Sequence, residues 1–352
     1  EKTFGDVYRK SIEEGALSCM IGHIALPEYS KVLDPTLKDE DILPATLAKE
    51  ITTTLLREKL GFNGLVVTDA TAMAGFALPM PREKAVPIAI AAGCDMFLFT
   101  RNMDEDFYFM KKGIEEGVIT SERLDEALTR ILGMKAALKL HTKQQNNELA
   151  PNLERAKEII GNPKHQEWAK ECADKSITLV KEEKGVLPIS VEKHKRVLFY
   201  NLENTGSFFD GNNVTEEFRK LLGNEGFEIE VFNANKGMEG MMTPSKDVLG
   251  KYDLIIYVAN IITKSNQTTV RIEWAMPMGI NIPIYLTSIP TIFVSVENPY
   301  HLLDIPRVKT YINAYSSGEN ILKEIVEKLM GRSEFKGTNP VDPFCGKWDT
   351  RL

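Results

Sequence analysis

The sequence GFNGLVVTDATAMAGF, residues 61–76, decides the fold of the first part of this chain. Its run Leu65 to Val67 is short, apolar and rich in β-branched residues, and it stops abruptly at Thr68 and Asp69, which is typical of a buried parallel strand reaching its carboxyl end. In parallel α/β proteins, and in (β/α)8 barrels especially, that end carries the chemistry, because the loops vary while the strands hold side chains rigidly. Asp69 is therefore a candidate nucleophile, base or metal ligand, or alternatively a cap of the next helix.

The segments around this strand alternate between helix and strand patterns. Helices are predicted over residues 7–15, 43–60, 81–93, 105–116 and 121–140, and further strands over residues 19–24 and 95–99. Strand, crossover helix and strand repeating at this spacing predict a parallel sheet. Residues 1–140 are thus expected to hold about three βα units.

A polar segment then separates two parts of the chain. Residues 141–152 contain Gln144-Gln145-Asn146-Asn147 and are predicted to be a linker. A second alternating pattern follows, with strands predicted over residues 197–200, 229–232, 254–258, 282–284 or 292–296, and 310–314, and helices over residues 216–222 and 321–330. This pattern predicts a doubly wound or six-stranded α/β layer over residues 153–352.

Composition limits the possible partners. The chain has 352 residues, enough for two domains of ordinary size, and its formal net charge of -7 argues against nucleic acid or an anionic membrane as partner. We find no apolar run long enough to cross a bilayer. The four cysteines lie far apart with no CxxC spacing, so we expect buried thiols rather than a disulfide or zinc framework. This pattern favours a reducing compartment such as the cytoplasm.

Several segments together resemble glycoside hydrolase family three. The segment LREKLGFNGLVVTDATAMAGF, preceded by EEGALSCMIGHIALP and followed by AAGCDMFLF and SERLDEALTRILGMKAALKL, resembles the last part of that family's catalytic barrel. After the linker, SITLVKEEKGVLPI and NPYHLLDIPRVKTYINAYS resemble its second domain. The resemblance implies the carboxyl-terminal portion of a (β/α)8 barrel over residues 1–140, a linker over 141–152 and an α/β sandwich of about six strands over 153–352.

Carried over residue by residue, the resemblance makes Asp69 the catalytic nucleophile, which forms a covalent glycosyl-enzyme. An ionised carboxylate suits an oxocarbenium-like transition state, and a retaining mechanism needs a second group to protonate the leaving oxygen. His23 is expected to orient Asp69 or to line the sugar pocket, although a lone histidine at a strand end is about as often structural. Met73 is expected to floor the pocket, with plain packing as its alternative.

Two details resemble the β-N-acetylhexosaminidase (N-acetylglucosaminidase) branch of the family more than its β-glucosidases. The nucleophile lies in Thr68-Asp69-Ala70 where family glucosidases usually have Ser-Asp-Trp, and Gly22-His23 stands where they tend to have Ser-Tyr. In that branch the proton donor is usually a histidine on a loop after a Lys-His strand. Because no Lys-His-Phe-Pro-Gly-His segment occurs in residues 1–352, the acid/base and the earlier barrel strands are expected upstream of residue 1.

The resemblance therefore implies a retaining exo-glycosidase fragment that hydrolyses terminal β-linked N-acetylglucosamine of cell-wall or chitin origin and is catalytically silent by itself. A β-glucosidase of the same family and a non-catalytic carbohydrate-binding module are the alternatives, and phosphate could replace water as the acceptor. No metal or organic cofactor is expected, since the five histidines show no HExxH or paired spacing. Three strands leave two open edges, so a complementary chain or a second copy is expected to complete the barrel.

Overall fold

The computed structural model describes residues 2–203, 213–233, 244–262, 270–276 and 279–352. These residues form two compact units, residues 1–152 and 153–352, and both mix helices with strands. In the described ranges no helix combines the length and the apolar character that a membrane crossing needs. Cys94 is buried, Cys19 is partly buried and Cys172 is exposed, and all of the cysteines are free thiols.

The first unit is built on a small parallel sheet. Strand β1 (Ser18–Ile21) pairs with strand β2 (Leu65–Thr68), and Val66 at the centre of β2 is fully buried. The helices around it are Phe4–Glu13, Pro27–Leu33, Ala74–Ala77, Arg82–Ala91, Met103–Glu115, Ser121–Ala137 and Leu140–Gln145, with 3-10 turns at Asp39–Asp41 and Ala45–Leu47 and a π-helix at Glu50–Lys59. The strands are short, and most of the buried apolar residues of this unit lie on its helices.

Two predictions for the first unit were wrong in detail, and one helix was missed. The strand expected over residues 95–99 is reduced to a single parallel bridge between Met96 and Val67, and the chain turns at Phe99, whose φ of 52° a strand cannot accommodate. The helix expected over 43–60 is interrupted at Ala48, where the backbone is extended. The helix Pro27–Leu33 was not anticipated at all.

The second unit contains a six-stranded sheet, which confirms the α/β class and the predicted strand number. Its strands are β3 (Thr178–Lys181), β4 (Arg196–Glu203), β5 (Glu228–Val231), β6 (Leu254–Asn260), β7 (Thr291–Ser295) and β8 (Thr310–Asn313), in the spatial order β3-β8-β7-β6-β4-β5. Strand β3 is antiparallel to β8, and the remaining pairs are parallel. Every residue of β6, β7 and β8 is buried, as expected for strands covered on both faces.

Helices and irregular segments complete the second unit. The helices are Leu153–Ile159, Pro163–Ser176, Val191–His194, Val214–Asn224, Ser245–Val248 and Glu319–Leu329, with 3-10 turns at His301–Leu303 and Asp349–Arg351. The prediction left two positions open for one strand, and the structure places it at β7 and not at residues 282–284. Strand β3 was not anticipated. The predicted linker is partly helical, because the helix Leu140–Gln145 extends into it.

Candidate active site

Asp69 is the first residue beyond the carboxyl end of β2. Its amide donates a hydrogen bond to the carbonyl of Ile21, the last residue of β1, at 3.0 Å. The amide of Ala70 donates to the Asp69 Oδ1 at 2.6 Å, and the side chain is partly buried. The next helix begins at Ala74 with Met73 as its cap residue and no side-chain cap. The alternative reading of Asp69 as a helix cap was therefore wrong.

The Asp69 carboxylate has two unlike oxygens. Oδ1 is fixed by the first peptide group of the loop, whereas Oδ2 makes no hydrogen bond to any of the residues that the structure describes. One oxygen therefore sets the orientation of the carboxylate and the other is free to meet an electrophile. This is the arrangement that a carboxylate nucleophile needs, because a retaining glycosidase attacks the anomeric carbon with one carboxylate oxygen.

His23 lies just after β1 and contacts the loop that follows Asp69. Its Nε2 is 3.1 Å from the carbonyl oxygen of Ala70, and its Nδ1 is 2.8 Å from the hydroxyl of Thr46, which is fully buried. A carbonyl only accepts, so Nε2 carries a hydrogen in this arrangement. Both ring nitrogens are thus engaged by protein atoms. Of the two predicted roles, this geometry favours orienting the nucleophile loop over lining the sugar pocket.

The loop after Asp69 also packs closely on His23. The His23 ring lies 5.2 Å from the ring of Phe76, which is fully buried. A Cβ added at Gly75 would come within 2.6 Å of the His23 carbonyl oxygen, so this position requires glycine. Met73 is on the same loop with 41% of its surface exposed. Its exposure is compatible with the predicted place at a pocket floor and is more than plain core packing would leave.

Sequence reasoning missed four residues that hold this loop: Thr46, Thr71, Arg82 and Asp106. Thr71 and Thr46 are fully buried, and Arg82 pairs with Asp106 beneath the loop. Arg82 and Asp106 lie 24 residues apart, on separate helices, and nothing in their local sequence signals the pairing. Among the described residues, no group of three or more His, Cys, Asp or Glu side chains is placed to hold a metal ion.

Comparison with known proteins places this arrangement in a family. Residues 1–134 match the model of the glycosyl hydrolase family 3 N terminal domain. A "Beta-N-acetylglucosaminidase/beta-glucosidase" of Cellulomonas fimi is 52% identical over 357 residues, which cover 100% of this chain and 62% of that relative. "Beta-hexosaminidase A" of Pseudoalteromonas piscicida is 31% identical over 185 residues, covering 48% of this chain and 29% of that protein.

Solved structures agree in fold. "Beta-glucoside phosphorylase BglX" superposes with a TM-score of 0.89 at 43% identity, over 99% of this chain and 62% of that one. A family 3 β-N-acetylglucosaminidase from Paenibacillus sp. gives a TM-score of 0.70 at 21% identity, over 96% of this chain and 60% of that structure, and shows the shared fold alone. The chain thus spans about three fifths of the length of these proteins. It belongs to glycoside hydrolase family 3.

Proposed function

We propose that this family 3 chain is part of a retaining exo-glycosidase that removes terminal β-linked N-acetylglucosamine, with Asp69 as the nucleophile. The observation that carries the proposal is the Asp69 carboxylate at the mouth of β2, with Oδ1 bound to the Ala70 amide and Oδ2 left free. In the first step Oδ2 attacks the anomeric carbon and the glycosidic oxygen leaves with a proton. The group that gives this proton is expected upstream of residue 1, as the family resemblance implies.

The choice of sugar rests on the residues around the nucleophile and on the relatives. Thr68-Asp69-Ala70 and Gly22-His23 resemble the hexosaminidase branch, and the Pseudoalteromonas relative is named for that activity. The Cellulomonas relative carries both names, and the phosphorylase is named for β-glucosides. A β-glucoside is therefore the second candidate substrate.

The acceptor of the glycosyl group is a separate question. The enzyme-bound sugar is released when water or another nucleophile attacks the same carbon from the opposite side. Hydrolysis is our first proposal. Phosphorolysis is the second, because a solved structure that covers 99% of this chain at 43% identity is named a phosphorylase.

The first unit also presents an incomplete surface. Leu17 and Met20, in or next to β1, are 62% and 52% exposed, and the far edge of β1 pairs with no strand among the described residues. We propose that further polypeptide, from a longer chain or a second one, packs along this edge. The chain alone is then catalytically silent, since it supplies the nucleophile without the proton donor.

The test uses the full-length gene product and two chromogenic substrates. We expect nitrophenyl N-acetyl-β-glucosaminide to be cleaved faster than nitrophenyl β-glucoside, and Asp69→Asn to lower turnover by about a thousandfold or more with folding intact, because the amide cannot attack. Asp104→Asn, an exposed aspartate of the same unit, is the matched control and leaves turnover unchanged. Near-normal turnover of Asp69→Asn would refute the assignment of the nucleophile.

Two further readouts separate the alternatives. A 2-fluoro glycoside that traps the intermediate is expected to label a peptide containing Asp69, and label elsewhere would contradict the role. Adding inorganic phosphate tests the acceptor: a sugar 1-phosphate among the products supports phosphorolysis, and free sugar at an unchanged rate supports hydrolysis. Silence on both substrates with retained sugar binding would favour a non-catalytic carbohydrate-binding module.

A further inference from the structure

The backbone after Asp69 is held at three successive residues from three directions. The Asp69 amide donates to the Ile21 carbonyl at 3.0 Å, and the Ala70 carbonyl accepts from His23 at 3.1 Å. The Thr71 carbonyl accepts from Nη1 of Arg82 at 2.9 Å. The third of these bonds comes from a charged side chain on the helix Arg82–Ala91, which contributes nothing else to the predicted chemistry.

Arg82 is itself held rigidly. Its Nε and Nη2 each donate to Asp106 at 2.6 Å, in a pair whose side chains are 12% and 3% exposed. Nη2 also donates to the Thr71 hydroxyl at 3.0 Å, and the guanidinium lies 5.7 Å and 5.8 Å from the ring centres of Phe76 and Phe97. Because the planar guanidinium is bound along both of its edges, its position is fixed, and its hydrogen bonds fix the position of Thr71 in turn.

A second buried pair in the same unit shows what a purely structural arginine does. Arg57 donates to Asp95 at 2.6 Å, and the two side chains are 10% and 0% exposed. Its other bonds go to backbone carbonyls such as that of Gly64, and Asp95 accepts from the Val66 amide, at the start of β2. None of the bonds that the structure records for Arg57 reaches residues 69–76. The Arg82 pair, by contrast, binds the nucleophile loop directly.

We propose that Arg82, held by Asp106, is a positioning residue for Asp69: it fixes the Thr71 peptide group and thereby the direction in which the Asp69 carboxylate points. The inference rests on the proposed role of Asp69 as the nucleophile. Attack requires the reacting atoms to be held about 3 to 3.5 Å apart and aligned, and a displacement of about 1 Å can cost a hundredfold in rate. The bond from Arg82 to the Thr71 carbonyl is only two residues from Asp69, so its loss can displace the Asp69 carboxylate by a distance of that order.

The test compares Arg82→Lys with Arg57→Lys in the full-length gene product. Lysine keeps the charge but cannot bind Asp106 and Thr71 together, so we expect kcat to fall about 10- to 100-fold while KM changes less than about threefold. The rate of labelling by the 2-fluoro glycoside is expected to fall by a similar factor. Arg57→Lys, the matched control, is expected to lower the midpoint of thermal unfolding and to leave kcat and the labelling rate unchanged.

A second variant covers the case in which Arg82→Lys does not fold. Thr71→Val keeps the ion pair and the carbonyl bond. It removes the two hydrogen bonds of the hydroxyl, the one accepted from Arg82 and the one donated to the Phe99 carbonyl, so we expect a smaller loss of labelling rate, about three- to tenfold. Wild-type rates in either folded Arg82→Lys or Thr71→Val, with Asp69 labelled in the parent protein, would overturn the positioning role. No label on Asp69 in the parent protein would instead refute the proposed function itself.

Discussion

The two units of this chain differ in how completely their sheets are covered. In the second unit all residues of β6, β7 and β8 are buried. In the first unit β1 and β2 form a two-stranded sheet, and Met20 in β1 is 52% exposed. An exposed large apolar side chain forgoes roughly 1.5 to 3 kcal/mol of burial. The first unit, which carries Asp69, therefore leaves more of its sheet uncovered by its own residues than the second unit does.

The difference suits the chemistry. A site at the carboxyl end of a parallel strand is built by residues from neighbouring strands and loops. The strand that carries it therefore keeps an edge and a face against which those neighbours can pack. The second unit has no such requirement, because its strand interiors are already packed on both faces. We therefore expect the second unit to fold as an independent cooperative unit and the first to be the less stable of the two.

The largest effect is expected in the core of the second unit. Phe218 is fully buried against Phe199, so Phe218→Ala is expected to lower the free energy of unfolding by about 3 to 5 kcal/mol. Phe107→Ala is the matched control in the first unit, where Phe107 is 71% exposed, and is expected to cost less than about 0.5 kcal/mol. All three tryptophans lie in the second unit, at positions 168, 274 and 348, so tryptophan fluorescence in denaturant follows that unit.

Two outcomes would break the comparison at this point. If Phe218→Ala left the fluorescence midpoint unchanged, the second unit would not unfold as one cooperative core. If circular dichroism and fluorescence gave one coincident transition, the first unit would share the stability of the second.

Sequence pattern predicted the fold best where local and tertiary preferences agree. The strands β4, β6 and β7 could be predicted because a strand covered on both faces has a nearly continuous apolar run. Strand β3 was missed because Leu179-Val180 is a very short apolar run without alternation, whereas the equally short edge strand β5 alternates at Ile229 and Val231. A strand was wrongly predicted over residues 95–99 because nothing in the local sequence indicates the turn at Phe99. The pairing of β1 along its second edge could not be predicted from the sequence, because it depends on which strands lie beside it.

The site was predicted in the same uneven way. Asp69 follows an abrupt end of a buried strand, so its position could be read from the sequence, and its role came from the family resemblance. His23 was found near the nucleophile loop, but that both its nitrogens are used by Thr46 and Ala70 is a tertiary fact. Arg82 and Asp106 belong to two helices, and only the packing of those helices brings them together.

A smaller effect is expected from a buried histidine of the second unit. Burial, helped by the charge of Arg271, lowers the pKa of His301 from 6.5 to about 4, and the ring lies 2.9 Å from the Ser295 hydroxyl. Because the unfolded chain takes up the proton first, stability is full above pH 6.5 and is lost as the pH falls toward 4. We expect about 2 kcal/mol less stability at pH 5 than at pH 7.5 from this group.

The measurement is denaturant unfolding followed by tryptophan fluorescence at the two pH values. His301→Gln removes the titrating group, so its stability is expected to depend on pH less steeply by about that amount, whatever its absolute stability. His141→Gln, at an exposed position of the first unit, is the control and keeps the parent slope. An unchanged slope in His301→Gln would show that the ring is not held neutral by the core of the second unit.

The smallest effect in this chain, and the sharpest test of the comparison, concerns Met20 on β1. In this chain Met20 lines an open cavity of about 160 Å³ with Tyr8 and Leu26, so little burial is lost when it is truncated. We expect Met20→Ala to change the stability of the first unit by less than about 0.5 kcal/mol, measured by hydrogen exchange of peptides from β1 and β2.

The same substitution is expected to behave differently in the full-length gene product. If further polypeptide packs along β1, Met20 becomes a core residue there, and its truncation costs about 2 to 5 kcal/mol. Met276→Ala is the matched control, because Met276 is 81% exposed in the second unit and is expected to cost less than about 0.5 kcal/mol in both proteins. An equally small effect of Met20→Ala in the two proteins would mean that the edge of β1 stays open. The contrast between the units would then be a property of the whole protein, and the proton donor that we propose to lie upstream would have to reach Asp69 without completing this sheet.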